Sequence, residues 1–118
     1  MQTAHKQWYL GKSLDGFTPI GPCIVTADAF ADYPPRLGIR SFVNGEKRQD
    51  SNTALQIFDI DHVIAELSQG MTLKAGTIIA TGTPAGVGMG MDPPQFLKPG
   101  DVVRCEIDGI GTLTNPVK

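Results

Sequence analysis

The most unusual chemistry on the chain lies in residues 82–90, which read GTPAGVGMG. Four glycines in nine residues leave backbone N–H groups accessible and permit positive φ. Such a loop can surround an anionic group with amide donors, and Thr83 adds a hydroxyl beside Gly82. Two known phosphate loops do not fit. The Walker pattern needs Gly-Lys-Ser/Thr, and no lysine follows here. The dinucleotide fingerprint needs a third glycine where Met91 or Pro93 stands, and Pro93-Pro94 blocks an ordinary helix. A plain tight turn at a sheet edge is the competing reading of this loop.

Lys12 is the second candidate. It lies in Gly11-Lys12-Ser13-Leu14-Asp15, between Trp8-Tyr9-Leu10 and Phe17. An ammonium held among apolar neighbours can stabilise a developing oxyanion or pair with a carboxylate. The alternative is an exposed lysine on a loop. Carboxylates offer less. The three glutamates, Glu46, Glu66 and Glu106, are far apart in sequence. Asp59 and Asp61 are close, but helix capping explains them. No zinc-type spacing and no Gly-x-Ser-x-Gly nucleophile motif occurs. His5 lies in the polar start, and His62 is expected on the surface of a helix.

The elements that must position these groups are mostly strands. A short buried strand is expected over residues 21–26, then a loop over 28–35. Residues 37–43 alternate in polarity, and Asn44-Gly45 is a strong hairpin signal with a return over 46–49. Ser51, Asn52 or Thr53 can cap a short helical turn. Ile60, Val63, Ile64 and Leu67 follow the helical i, i+3, i+4, i+7 rule. Asp59 or Asp61 supplies the N-cap of that helix, and Gly70 ends it. A buried strand over 77–81 then leads directly into the glycine loop. A second hairpin is expected over 102–107 and 110–114, around Asp108-Gly109. Two local hairpins and one main helix indicate an α+β domain dominated by antiparallel sheet.

Composition sets the outer bounds. The chain has 118 residues, 10 basic and 12 acidic side chains, and a net charge of −2. Hydrophobic residues make up 41% and charged residues 19%. This is the profile of one globular domain. A nucleic-acid partner is not expected, because the positive charges are scattered rather than gathered into a footprint. A membrane is not expected either, since no apolar run nears the ~18 residues of a span. No signal-peptide pattern is visible, so the expected location is cytoplasmic. Cys23 and Cys105 are expected as buried thiols, with a disulfide as the alternative.

Seven motifs occur in order: Lys6-Gln7-Trp8, Gly11-Lys12-Ser13-Leu14-Asp15, PIGP at 19–22, Val43-Asn44-Gly45-Glu46, QDSNT at 49–53, TGTPAGVG at 81–88 and LKPGD at 97–101. Together they resemble the C-terminal part of the fumarylacetoacetate hydrolase family, over nearly the whole chain. The resemblance implies a β-rich mixed-sheet roll with few helices, paired as a homodimer. It implies a Mg²⁺- or Mn²⁺-dependent hydrolase, lyase or isomerase acting on a small keto acid or enol acid through an enolate. Acylpyruvate hydrolysis, β-keto acid decarboxylation and dienoate isomerisation are all open. The family's GKS lysine falls on Lys12, which would neutralise the enolate or the attacked carbonyl. The threonine of its GTPAG loop falls on Thr83, which with Gly82 would hold a substrate carboxylate.

The departure from the family concerns the metal. Its Glu-x-Glu pair and the aspartate of its Ala-Arg-Asp segment lie upstream of the matched region, and no Glu-x-Glu occurs here. Residues 1–118 are therefore expected to be the C-terminal part of a catalytic domain, truncated at its N-terminus, with no metal ligands of their own. The rival expectation is a catalytically silent fragment that acts as a folding, dimerising or binding module.

Overall fold

Asn44 and Gly45 set the first hairpin. Both take positive φ, 52° and 85°, as a two-residue turn matched to strand twist requires. The computed structural model describes residues 8–118. Its elements are α1 (Trp8–Lys12), β1 (Gly38–Val43), β2 (Glu46–Asn52), α2 (Ile60–Ser68), β3 (Val102–Ile107) and β4 (Gly111–Pro116). Short 3₁₀ turns cover Ala27–Ala29, Thr53–Leu55 and Gly88–Gly90. The strands form one antiparallel sheet in the order β2-β1-β3-β4. The expected β-rich α+β architecture with few helices is present.

The central strand β1 pairs with β2 on one side and β3 on the other. Asn44 locks the hairpin tip to the start of β3. Its side chain accepts from the Val102 N–H at 2.8 Å and donates to Asp101 Oδ1 at 2.9 Å. At the other end Arg40 on β1 grips Asp108 in the β3–β4 turn at 2.7 and 3.3 Å. This guanidinium holds the Asp108 carboxyl below the ordinary aspartate range.

Asp59 caps α2, accepting from the His62 N–H at 2.7 Å. Asp61 instead accepts the Tyr33 hydroxyl at 3.0 Å, which raises the Tyr33 pKa. His62 is exposed as expected and stacks on Phe58. No described helix is long and apolar enough to cross a membrane.

Three expectations fail, and so does one alternative, the loop position of Lys12. Residues 21–26 and 77–81 are not strands: among the described residues no ladder partner lies beside them. Ile24 is 79% exposed and Ile78 is 65% exposed. Lys12 does not sit on a loop but ends the short helix α1. The interior Gly11 of that helix lowers its propensity and hid it from the sequence pattern. Cys23 and Cys105 are free, exposed thiols rather than buried ones. Cys105 does alternate onto the apolar side of β3, but the loop residues across that side leave an open cleft rather than close cover. His5 and the Lys6-Gln7 part of the first motif lie outside the described residues.

This lack of cover is general. Among the described residues no large hydrophobic side chain is buried. The chain exposes 9338 Å². A folded monomer of its mass exposes about 6,200 Å².

Candidate carboxylate-binding site

A regular ladder from the Asn44-Gly45 turn would pair Ser41 with Arg48 and set Gln49 opposite Arg40. The observed register is Val43↔Glu46 and Phe42↔Lys47, and then Ser41↔Gln49. Arg48 is the extra residue of a β-bulge. One inserted residue moves every later side chain of β2 to the other face. Gln49 therefore joins Ser41, and adjacent residues Arg48 and Gln49 both turn towards the glycine loop. The flanking Lys47 and Asp50 point away and pair with each other.

Gln49 ties the loop to the sheet. Its Oε1 accepts from the Ser41 hydroxyl at 2.8 Å. Its Nε2 donates to Thr83 Oγ1 at 2.8 Å and to the Pro84 carbonyl at 3.0 Å. Two residues earlier in the loop, Thr81 is held in the same way, accepting from Gln56 Nε2 at 3.0 Å. Both threonines of Thr81-Gly82-Thr83 are thus fixed by glutamine amides.

The loop's glycines divide into two kinds. At Gly86, φ is +102° and a Cβ would stand 2.1 Å from the Arg48 carbonyl oxygen. At Gly88 a Cβ would stand 1.9 Å from the Gln95 carbonyl oxygen. These two let the backbone pack closely. Gly82 differs: its φ is +107° and nothing lies within 4 Å of its Cβ position. Among the described residues, no backbone hydrogen bond engages the N–H of Gly82 or of Thr83. Two open amides and one hydroxyl there can receive a carboxylate.

Lys12 is exposed, and its ammonium lies over the Trp8 ring, 5.2 Å from the centroid. Cation–π attraction of this kind holds the charge near an aromatic wall. No hydrogen bond or ion pair joins Lys12 to Thr83 or Gly82 among the described residues. The structure thus brings Gly82 and Thr83 together but does not add Lys12 to them.

A cleft of about 680 Å³ lies between the sheet and the loop, lined in part by Ser41, Arg48, Gln49, Gly86 and Gln95. Neither Thr83 nor Lys12 lines it. Arg48 fills part of it, reaching Glu46 at 3.3 Å, Met91 Sδ at 3.1 Å and the Gln95 side-chain carbonyl. Its Nε is buried without a partner. This cleft is the uncovered side of the sheet rather than the carboxylate site.

The sequence pattern missed Ser41, Gln49, Gln56 and the role of Thr81. Gln49 does stand in the QDSNT motif. Yet Gln49 and Thr83 are 34 residues apart, and nothing in composition foretells the bulge that joins them.

The resemblance implies a divalent metal, so the fit of the residues matters. Among the described residues, no three His, Cys, Asp or Glu side chains come together as a metal group requires. These residues do not fit Mg²⁺ or Mn²⁺, which need several oxygen ligands.

Comparison with known proteins agrees with the architecture. A family model described as fumarylacetoacetate (FAA) hydrolase C-terminal matches residues 1–118. Mitochondrial oxaloacetate tautomerase fahd2 of Xenopus laevis is 51% identical over 117 residues, covering 99% of this chain and 36% of its own length. The fumarylacetoacetate hydrolase of the psychrophile Exiguobacterium antarcticum superposes with a TM-score of 0.91 at 54% identity, covering 99% of this chain and 42% of that one. Maleylpyruvate hydrolase of Sphingobium sp. SYK-6, in complex with manganese(II) and pyruvate, superposes with a TM-score of 0.78 at 44% identity, covering 90% and 37%. The chain thus spans well under half the length of each, and all three are enzymes by name. With its sheet order, its glycine loop and its full-length match in agreement, the chain belongs to the fumarylacetoacetate hydrolase family, as the C-terminal domain of that family.

Proposed function

We propose that this chain supplies the carboxylate-binding part and the lysine of an active site that hydrolyses, cleaves or isomerises a small keto acid or enol acid through an enolate. The observation that carries the reading is the open Gly82-Thr83 corner, where two unengaged amides and a hydroxyl border empty space. A carboxylate held there places the keto carbon of a 2-keto acid one bond away. Loss of a proton, or of a carbon substituent, from the next carbon leaves negative charge on the keto oxygen. The Lys12 ammonium is suited to neutralise that oxyanion once α1 and the loop face one substrate. A pyruvate-bound relative with 44% identity supports the substrate class.

The family's Mg²⁺ or Mn²⁺ would act as a Lewis acid, but the described residues provide no group for it. We therefore read residues 1–118 as one portion of a larger catalytic domain, assembled as a homodimer. The coverage of 36% to 42% of the relatives supports this. A silent binding or dimerising module is the second reading, favoured by the absence of a metal group and by the separation of Lys12 from Thr83 among the described residues.

Turnover of oxaloacetate and acetylpyruvate with Mg²⁺ separates the two readings. Lys12→Ala is expected to lower kcat by roughly 100-fold, the usual cost of removing an oxyanion donor. In a full-length enzyme of the family, Thr83→Val is expected to raise KM by the equivalent of about 1.5–3 kcal/mol, the worth of one hydrogen bond to a charged group, with kcat little changed. Kinetics indifferent to both substitutions would leave only the module.

A further inference from the structure

We propose that Gln49 is a positioning residue that aims the Thr83 hydroxyl proton at the ligand carboxylate, through a one-way hydrogen-bond chain that starts at Ser41. The inference rests on Thr83 as a carboxylate donor and assigns a second residue to that site.

The direction of the chain follows from what each group can do. A carbonyl oxygen only accepts, so the end of the Gln49 amide facing Pro84 must be its NH₂. The Pro84 contact at 3.0 Å therefore fixes the amide without any assumption about which atom is nitrogen. The same NH₂ donates its other proton to Thr83 Oγ1 at 2.8 Å. The Gln49 oxygen is left facing Ser41, whose hydroxyl donates to it at 2.8 Å.

A hydroxyl carries one proton. Thr83 receives an N–H on its oxygen, so its own proton must find a different acceptor. The nearest in the chain is the Pro84 carbonyl, which also accepts from Gln49 and lies at the limiting distance of 3.5 Å, where a second bond is weak. The proton is thus available to an acceptor on the open side beside Gly82. Ser41, Gln49 and Thr83 donate in sequence, and each bond polarises the next. A carboxylate arriving at Thr83 offers that proton a stronger acceptor than the Pro84 carbonyl at 3.5 Å.

The fold builds this arrangement by two local devices. The bulge at Arg48 brings Gln49 onto the face of Ser41. Gly86 then lets the loop lie against the Arg48 carbonyl, within reach of the Gln49 amide. Neither device is needed to hold the hairpin, which the Asn44-Gly45 turn already sets.

Calorimetric titration of pyruvate into the protein with Mg²⁺ present tests the chain at about pH 7 and about pH 4.5, against Gln49→Glu, Gln49→Leu and Thr83→Val. At neutral pH the Gln49→Glu carboxylate accepts the Thr83 proton and repels the ligand, so affinity should fall roughly tenfold or more. Near its own pKa of about 4.3 the new carboxyl regains a proton to donate, and affinity should recover towards that of the unsubstituted protein. Gln49→Leu should lose affinity at both pH values with no recovery. A role confined to packing would not give recovery in one variant and none in the other.

Pyruvate affinity of Gln49→Glu equal to that of the unsubstituted protein at neutral pH, with Thr83→Val weakened, would overturn the positioning role and leave the carboxylate site standing. An unchanged Thr83→Val, or no pyruvate binding at all, would overturn both. Should Gln49→Glu fail to fold, Ser41→Ala replaces it. The amide then loses the donor that fixes its oxygen, and weaker pyruvate binding at unchanged Tm is expected. Unaltered binding in Ser41→Ala would count against the chain.

Discussion

Thr83 and Asp101 show how single polar side chains do different work in this chain. Thr83 is proposed to offer its proton to a ligand. Asp101 spends both oxygens inside the fold, taking the Lys98 N–H at 2.8 Å and the Asn44 amide at 2.9 Å. Those donors favour the ionised form and hold the Asp101 carboxyl below the ordinary aspartate range, the Lys98 N–H most strongly. A carboxyl with a depressed folded-state pKa adds stability that is fully present above the unfolded value. That stability is lost as pH falls through the folded value. Asp101→Asn should therefore lower Tm near neutral pH, and the gap should close as pH drops below about 4. Thermal melts across pH check this; a constant gap would show that the charge of Asp101 is not what matters.

At this scale the sequence was partly legible. Glycine spacing singled out the loop over residues 82–90, and the resemblance to the family's GTPAG loop picked Gly82 and Thr83 from it. Lys12 was legible as a residue type but not in its setting, since neither a five-residue helix nor a stacking contact with Trp8 leaves a periodic trace. Gln49 was invisible as a site residue, because its partner is distant in sequence and its face depends on the bulge.

Strand and turn elements carry the site through a bulge in the β1–β2 ladder and through side-chain hydrogen bonds from Gln49 and Gln56 to the loop. The hairpin at Asn44-Gly45 and the helix capped by Asp59 were readable from local chemistry alone. The apolar runs at 21–26 and 77–81 were not, because strand character depends on a neighbour that short-range pattern does not contain. Gly86 is the test at this scale. Its Cβ would meet the Arg48 oxygen at 2.1 Å and the Gln49 Cγ at 3.0 Å, in a backbone region that L side chains rarely adopt. Gly86→Ala should cost about 2–4 kcal/mol, from the clash and the strained φ together. It should also weaken pyruvate binding, because the loop must lift away from Gln49. Urea unfolding and pyruvate titration measure the two effects; a variant with native stability and affinity would show that the loop does not depend on this close approach.

For the whole molecule, surface area is the governing quantity. The 9338 Å² that the chain exposes exceeds the amount expected for a monomer of its mass by roughly 3,100 Å². An ordinary interface takes only about 800 Å² from each partner. A second copy at that size would leave most of the excess in water, which supports a larger share of the same catalytic domain as the cover. The uncovered apolar side of the sheet, with Cys105 on it, is the visible consequence. No periodicity could have foretold it, since alternation shows which face is apolar but not what lies against it. The proposed division of labour is that these residues hold the organic anion while the cation is held elsewhere. Heteronuclear NMR of the 118-residue chain, titrated first with MgCl₂ and then with pyruvate, measures both halves of that statement. The expected result is no saturable response to Mg²⁺ in the low-micromolar range, followed by saturable pyruvate shifts centred on the Gly82 and Thr83 amides. A tight stoichiometric Mg²⁺ site, or pyruvate shifts that leave Gly82 and Thr83 untouched, would contradict it.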